Sequence, residues 1–297
     1  MVIFFESGRL GNQLFQYCVL RKIEPGKPLF LLGLQSLKSM FVGIDCAGET
    51  ACDRLMERLL CTSMGVRVLD TLSRRLGIIG WIVERRTEAH TNMQMRKGII
   101  PNIYFCAESY WQSEELIENQ VAASIQLAPE LKGRALQLMK EMFGDGRMSF
   151  FVHVRRGDYS AWPSREAPGI LPLKWYMKQM NVIRERFADP VFVVVSDDRF
   201  YAEEMFGDCP DVYVCHESEK IDFAIISMCS GGGILSASSF SWWGAYFVRR
   251  SNKGAFFVAP MYWGGHRLKS WYPNEAIKTS WITYAAVENE IASAQGK

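Results

Sequence analysis

The chain has 297 residues, 48% of them hydrophobic and 22% charged, with 24 glycines and 11 prolines. That length is about twice an ordinary domain, and the composition excludes a disordered, collagenous or coiled-coil chain. Thirty-four Lys and Arg stand against 32 Asp and Glu, a formal net charge of +2, so no whole-chain field selects for nucleic acid and any anion site must be local.

The N-terminus reads as a first strand, Val2-Ile3-Phe4-Phe5, running straight into polar Glu6-Ser7-Gly8-Arg9. A secretory leader needs a basic start and a clean apolar stretch, so a cytoplasmic protein is expected. The longest apolar stretches, near Leu29–Leu34, Gly77–Val83 and Val191–Val195, fall short of the roughly 18 residues of a membrane span. Ser7-Gly8-Arg9-Leu10-Gly11-Asn12-Gln13 then opens a helix. It lacks the G-x-G-x-x-G pattern and the following acidic residue of a dinucleotide site. Its glycines permit close backbone approach, and Asn12 and Gln13 offer donors and acceptors to a hydroxyl-rich molecule; a plain strand-to-helix turn is the structural alternative.

Segments 29–44 and 51–100 mix apolar stretches with charges and lack strand alternation, so short helices are expected there. Arg67, Arg74, Arg75, Arg85, Arg86, Arg96 and Lys97 outnumber Asp70, Glu84 and Glu88 by four. That region reads either as a solvated helical surface or as a patch facing anionic lipid, at the inner face of a membrane, or an acidic acceptor carrier. Ser113 before Glu114-Glu115 marks a helix start. The eight cysteines, at 18, 46, 52, 61, 106, 209, 215 and 229, form no C-x-x-C pair and read as reduced core thiols.

Gly144-Asp145-Gly146 is a turn-rich break, taken as the boundary between a lobe over 1–144 and a second over 145–275. Residues 276–297 form a tail expected to pack back across both, ending in a frayed helix at 288–297. Strands are predicted at Ser149–Val154, Val191–Val195, Val212–Cys215, Gly233–Ser236 and Ala255–Ala259, with helices at 173–187, 199–206, 219–229 and 240–250 between them. Strict alternation means a parallel, Rossmann-like sheet in an α/β fold, with ligands at the strands' carboxyl ends.

Three such ends are polar. His153-Val154-Arg155-Arg156-Gly157-Asp158-Tyr159 ends a strand of buried type, and an Arg fork there suits a phosphate oxygen pair at every relevant pH. A structural Arg–Asp pair is the alternative, and Arg156 is expected to hold the loop through Asp158. Ser236-Ala237-Ser238-Ser239-Phe240-Ser241-Trp242-Trp243 places hydroxyls at a helix start, either as an anion seat or as simple capping. Trp242 and Trp243 read as a sugar-stacking face or as core. Asp197 and Asp198 end the next strand, and Asp222 is the candidate to accept two N–H donors from a guanine edge, or else a helix-start carboxylate. No Asp-x-Asp occurs, so no metal seat is evident and charge on a leaving group falls to Arg155 and backbone amides.

GRLGNQLFQY at 8–17, HVRRGDY at 153–159, SDD at 196–198 and SSFSWWGAYF at 238–247 together resemble the bacterial α-1,2-fucosyltransferases, inverting GT-B-type enzymes that use GDP-fucose. Between 25 and 140 the likeness shrinks to Tyr110-Trp111-Gln112, and Glu24-Pro25-Gly26-Lys27-Pro28 stops the first helix earlier than the family does. The resemblance implies a two-lobed transferase moving L-fucose from GDP-fucose to the 2-hydroxyl of a galactose-terminated or lipid-linked glycan. It implies that Arg155 binds the pyrophosphate, His153 lies beside the donor, Ser238, Ser239 and Phe240 seat the β-phosphate, and Asp197 and Asp222 complete the donor side. Gly11, Asn12, Gln13, Tyr159 and Trp242 then serve the sugar or acceptor, His153 and Asp158 are the candidate bases, and no metal cofactor is required. The rival readings are another acceptor, such as a peptide hydroxyl or a different sugar position, and a silent GDP-sugar-binding module.

Overall fold

The computed structural model describes residues 1–5, 8–23, 29–44, 58–60, 62–106, 109–117, 120–272 and 274–288. Two units emerge, Met1–Leu131 with Pro273–Lys278, and Lys132–Tyr272 with Thr279–Lys297. The division falls inside the helix Pro129–Phe143, ahead of the Gly144–Gly146 turn. The tail is shared: Pro273–Lys278 clusters with the first unit and Thr283–Ala285 adds a strand to the second. The breaker segment 24–28, Cys46, Cys52, Cys61 and the tail from 289 lie outside the described residues. Cys106, Cys209, Cys215 and Cys229 are free thiols. Among the described residues no helix is long and apolar enough to cross a membrane.

The first unit contains β1 (Val2–Phe5), β2 (Leu29–Leu32), β3 (Phe41–Val42), β4 (Gly80–Arg86), β5 (Thr91–Arg96), β6 (Tyr104–Cys106) and β7 (Gln126–Leu127). Five of them form a sheet in the order β2-β1-β6-β4-β5, parallel except for the β4–β5 hairpin, while β3 pairs β7 separately. The short helices expected over 29–44 and 51–100 are found at Gln35–Met40 and Ser63–Asp70, whereas 29–32, 80–86 and 91–96 are strands. The wholly helical basic surface is corrected too, since only 63–75 is helical and the remaining charges ride on the hairpin. The reason is local: β2 is a bare apolar Leu-Phe-Leu-Leu, and Arg85-Arg86 break the alternation that would mark β4. Ile3, Leu32, Leu69, Ile79 and Phe105 form a core between this sheet and the helix Ser63–Asp70.

The second unit contains β8 (Ser149–Val154), β9 (Val191–Ser196), β10 (Val212–Val214), β11 (Gly232–Ile234), β12 (Phe256–Pro260) and β13 (Thr283–Ala285). They form one sheet in the order β10-β9-β8-β11-β12-β13, every pair parallel. Helices Leu173–Arg186, Arg199–Phe206, Glu219–Ile226 and Ser239–Ser251 make the crossovers. Every residue of β8 and β9 is buried, as expected for strands covered on both faces. Gly233 lets the sheet close over Phe151, because a Cβ there would press into that ring. The chain winds outward from β8 to β10, then returns to β11 and winds the other way. The switch point, where such sheets open a crevice for ligands, thus lies between the carboxyl ends of β8 and β11.

Candidate active site

The loops that leave β8 and β11 carry two of the three sequence-selected polar stretches, and side chains join them directly. His153 Nδ1 and Ser236 Oγ share a hydrogen bond of 2.6 Å, and the His153 ring stacks on Phe240 with centroids 5.4 Å apart. His153 is buried, and that burial, with the Arg155 charge beside it, pushes its pKa down to about 3. The imidazole is therefore neutral at ordinary pH and braces the two loops.

Arg155 follows at the mouth of β8. Its guanidinium donates to Asp158 Oδ1 at 2.5 Å and is ion-paired with Asp197 Oδ2 at 2.9 Å, and it lies 5.6 Å from the Tyr159 ring centroid. One of its five N–H donors is thereby engaged in a hydrogen bond, leaving capacity for a ligand. Asp197 also accepts the Arg156 amide at 2.9 Å, and a Cβ on Gly157 would stand 2.7 Å from Asp197 Oδ2. The turn is thus held from β9 and needs glycine at its tightest point. The expectation for Arg156 is corrected: it pairs with Asp198 at 3.1 Å and lies 3.6 Å over the Tyr201 ring, while Asp158 belongs to Arg155. Asp198 in turn caps the helix Arg199–Phe206 by accepting from Tyr201 N.

Across the switch point, Ser238 caps the helix Ser239–Ser251 by accepting from Phe240 N at 3.3 Å. Ser241 Oγ donates to the carbonyls of Ser236 and Ser238. Between Gly231 and Ala245 only Ser238, Ser239 and Phe240 are partly open to solvent. The exposed segment is therefore a capped helix N-terminus with hydroxyls on it, where the macrodipole and first-turn amides favour an anion. Tyr159 Oη donates to the Ala237 carbonyl at 2.5 Å and closes the β8 loop onto this turn. Trp242 is corrected: it is fully buried, stacked on Tyr246 and packed against Trp243 and Trp281, so it presents no face to a sugar. Its ring is taken up by Tyr246, one turn on along the same helix, and by Trp281.

Asp222 lies on the helix Glu219–Ile226, next to Phe223, whose ring meets Phe240 edge-on at 5.1 Å. The carboxylate is buried, its Oδ1 has no hydrogen-bond partner, and the Cys215 thiol bonds to it. Burial pushes its pKa up to about 7, against the pull of the Cys215 hydrogen bond and the Arg199 charge. A buried acceptor oxygen left open can take an N–H donor. Among the described residues no group of three or more His, Cys, Asp or Glu side chains could hold a metal ion.

The glycine stretch after β1 lies in the other unit. Gly8, Gly11, Asn12 and Gln13 leave β1 and start the helix Leu10–Ile23, with the amides of Asn12 and Gln13 bonded to the Arg9 carbonyl; Ser7 lies outside the described residues. Gly8 has φ +74 and Asn12 fills the space a side chain would need. The sheet order again reverses beside β1, at β6, and after β6 comes a residue that sequence reasoning did not select. Gln112 donates through Nε2 to Asn12 Oδ1 at 2.6 Å, and the side-chain carbonyls of Gln112 and Gln13 are buried without partners. The signal available was the Tyr110-Trp111-Gln112 stretch, bare of chemistry on its own. Ser236 was passed over likewise, as one hydroxyl among four.

A doubly wound parallel sheet that brings an arginine and a capped helix N-terminus to its switch point is an α/β unit that can seat an anion. Residues 81–285 match the profile of glycosyl transferase family 11, and the chain belongs to that family of glycosyltransferases. It is 26% identical to the O-antigen biosynthesis glycosyltransferase WbnK of Escherichia coli, over 93% of this chain and 98% of that protein. It is 25% identical to the human galactoside alpha-(1,2)-fucosyltransferase 1, over 94% of this chain and 73% of that protein. Its fold is similar to that of an Arabidopsis thaliana FUT1 mutant in complex with GDP, with a TM-score of 0.50 and 10% identity, covering 83% of this chain and 68% of that one.

Proposed function

We propose that the protein transfers L-fucose from GDP-fucose to the 2-hydroxyl of a terminal galactoside, inverting the anomeric carbon and using no metal ion. The unit carrying Arg155 is the donor half, and the unit carrying Asn12 the acceptor half, of a GT-B-type enzyme. The observation that carries this reading is the joining of Arg155 and the Ser238–Phe240 helix start at one switch point through His153. The relatives' fucosyl and galactoside specificity and the GDP held by a structure of similar fold support it.

Cleavage of the bond from sugar to diphosphate leaves negative charge on the departing oxygen while the sugar becomes cation-like, so leaving-group stabilisation is the main demand. Arg155 meets one side of that charge, and the amides and hydroxyls of Ser238 and Ser239 meet the other. Asp222 holds the guanine edge, and His153, neutral and buried, fixes the two loops. Asp158, at 55% side-chain exposure the most solvated carboxylate on Arg155, is the better placed of the two base candidates to receive the acceptor proton.

Incubation of the EDTA-treated protein with GDP-fucose and lactose-type or N-acetyllactosamine-type acceptors, followed by linkage determination, tests this. An α-1,2 product is expected. Another linkage, a fucosylated peptide, or GDP binding with no product would replace the reading, and a strict need for added Mg²⁺ or Mn²⁺ would remove its metal-free part.

A further inference from the structure

The helix Ser63–Asp70 buries Gly65 and Leu69 against the first unit's core, yet turns apolar side chains outward as well. Met64 is 74% exposed and Val68, one turn on, is also exposed, with Arg67 on the same face. The helix continues as a wider turn through Thr71–Arg75 and ends at Leu76, which is 57% exposed. Backbone bonds then tie this end to a loop distant in sequence: Ile99 N donates to Gly77 O at 2.9 Å and Ile100 N to Ile78 O at 2.8 Å. Ile99 is 79% exposed, and Lys97 and Arg96, just before it at the end of β5, are exposed too. Single exposed apolar residues need no explanation, whereas Leu76 and Ile99, held together within a rim of Arg75, Arg96 and Lys97, with Arg74 paired to Asp70 at 3.0 Å, form a patch.

The geometry points to an anionic phospholipid surface as the partner of this face. The chemistry is that of interfacial binding: apolar tips reach the acyl boundary while guanidinium and ammonium groups around them meet lipid phosphates. Charge alone would suit an acidic polypeptide equally, and the outward Met64, Leu76 and Ile99 decide for lipid, since a polyanionic chain offers them nothing to enter. The face lies on the helix and hairpin of one unit, away from the loops that carry Asn12 and Gln112, so docking leaves the proposed chemistry untouched. It rests on no step of transfer and stands or falls apart from it.

The test is co-sedimentation of the full chain with vesicles of phosphatidylcholine mixed with phosphatidylglycerol, against phosphatidylcholine alone, at low and high salt. Binding to the anionic vesicles alone is expected, weakening as salt shortens the screening length. Arg75→Ala and Lys97→Ala are each expected to weaken it about fivefold, the worth of one basic residue near such a surface. Ile99→Ser should weaken it further at unchanged charge, with the thermal unfolding curve and transfer to a soluble acceptor like those of the unaltered protein. Lys97→Gln serves in place of any variant whose unfolding curve shifts. Equal binding to both vesicles, or none, overturns the inference. So does an Ile99→Ser variant that binds as before while polyglutamate competes, which would mark an acidic-polypeptide site.

Discussion

The two sheets share a plan and differ in how their strands are written. In the C-terminal unit, β8 and β9 are six-residue runs buried throughout, and glycines in β11 let neighbouring rings and backbone close over them. In the N-terminal unit the parallel strands β1, β2 and β6 have three or four residues, and the longest strands belong to a half-exposed hairpin. The C-terminal sheet reverses its winding once, beside β8, and the N-terminal sheet twice, the second reversal inserting β6 beside β1, and both places gather polar side chains. What separates them is charge. The C-terminal switch point joins arginine and aspartates to a Ser-capped helix N-terminus, whereas at the N-terminal one the side chains turned to one another, Asn12 and Gln112, are neutral amides and Arg9 at the helix start is exposed, so the first suits a diphosphate better and the second suits hydroxyls.

The sharpest way to break that contrast is Arg155→Ala. Loss of one donor aimed at developing charge costs about 10²–10³ in turnover. The substituted protein should keep its unfolding curve, because Asp158 is largely solvated and Asp197 retains the Arg156 amide. Steady-state rates at saturating donor and acceptor measure it, and near-native turnover would take Arg155 out of its role.

Asp222 gives a smaller effect with a definite sign. Its pKa of about 7 means that much of the carboxyl is protonated in the free protein near neutrality, while a guanine edge needs it charged. GDP affinity should therefore fall as pH drops below 7, by up to about tenfold per unit, and level off above it. The phosphates of GDP titrate nearby, so the comparison is between the native protein and Asp222→Asn by calorimetry: the variant should bind more weakly and lose the extra slope. Linkage works the other way for folding. The folded chain keeps this proton to higher pH than the unfolded chain, so the Asp222 contribution to stability is lost as pH rises from the ordinary carboxylate range through 7. Identical slopes for the two proteins would exclude Asp222 as the guanine contact.

The same contrast explains what the residues disclosed unaided. The strands and crossovers of 149–260 could be read because a strand covered on both faces is written as an unbroken apolar run with a polar stop, and that stop falls where ligands gather. Arg155 and Ser238 were reached in that way, and Asp222 as a carboxylate near a helix start. The short strands β2 and β6 carry no such mark, and β13, three residues beyond a long loop, has none either. Trp242 failed for a different reason: an aromatic beside a ligand loop looks the same in sequence whether its ring faces solvent or sheet, and only the helix phase decides. The exchange of partners between Arg155 and Arg156 was equally hidden, since neighbouring arginines differ only in which side of the strand end they leave.

Gln112 is where the comparison can be sharpened in the N-terminal unit. Its amide nitrogen is committed to Asn12, and its carbonyl and that of Gln13 remain buried and open, an arrangement that costs stability unless a donor arrives to use it. An acceptor hydroxyl is such a donor and a diphosphate is not. Gln112→Ala should therefore raise the acceptor KM about fivefold, the value of one net hydrogen bond, while the GDP-fucose KM stays where it was. If the substitution instead weakens GDP-fucose binding and leaves the acceptor unaffected, the amide cluster belongs to the donor, and the division of labour between charged and neutral switch points fails.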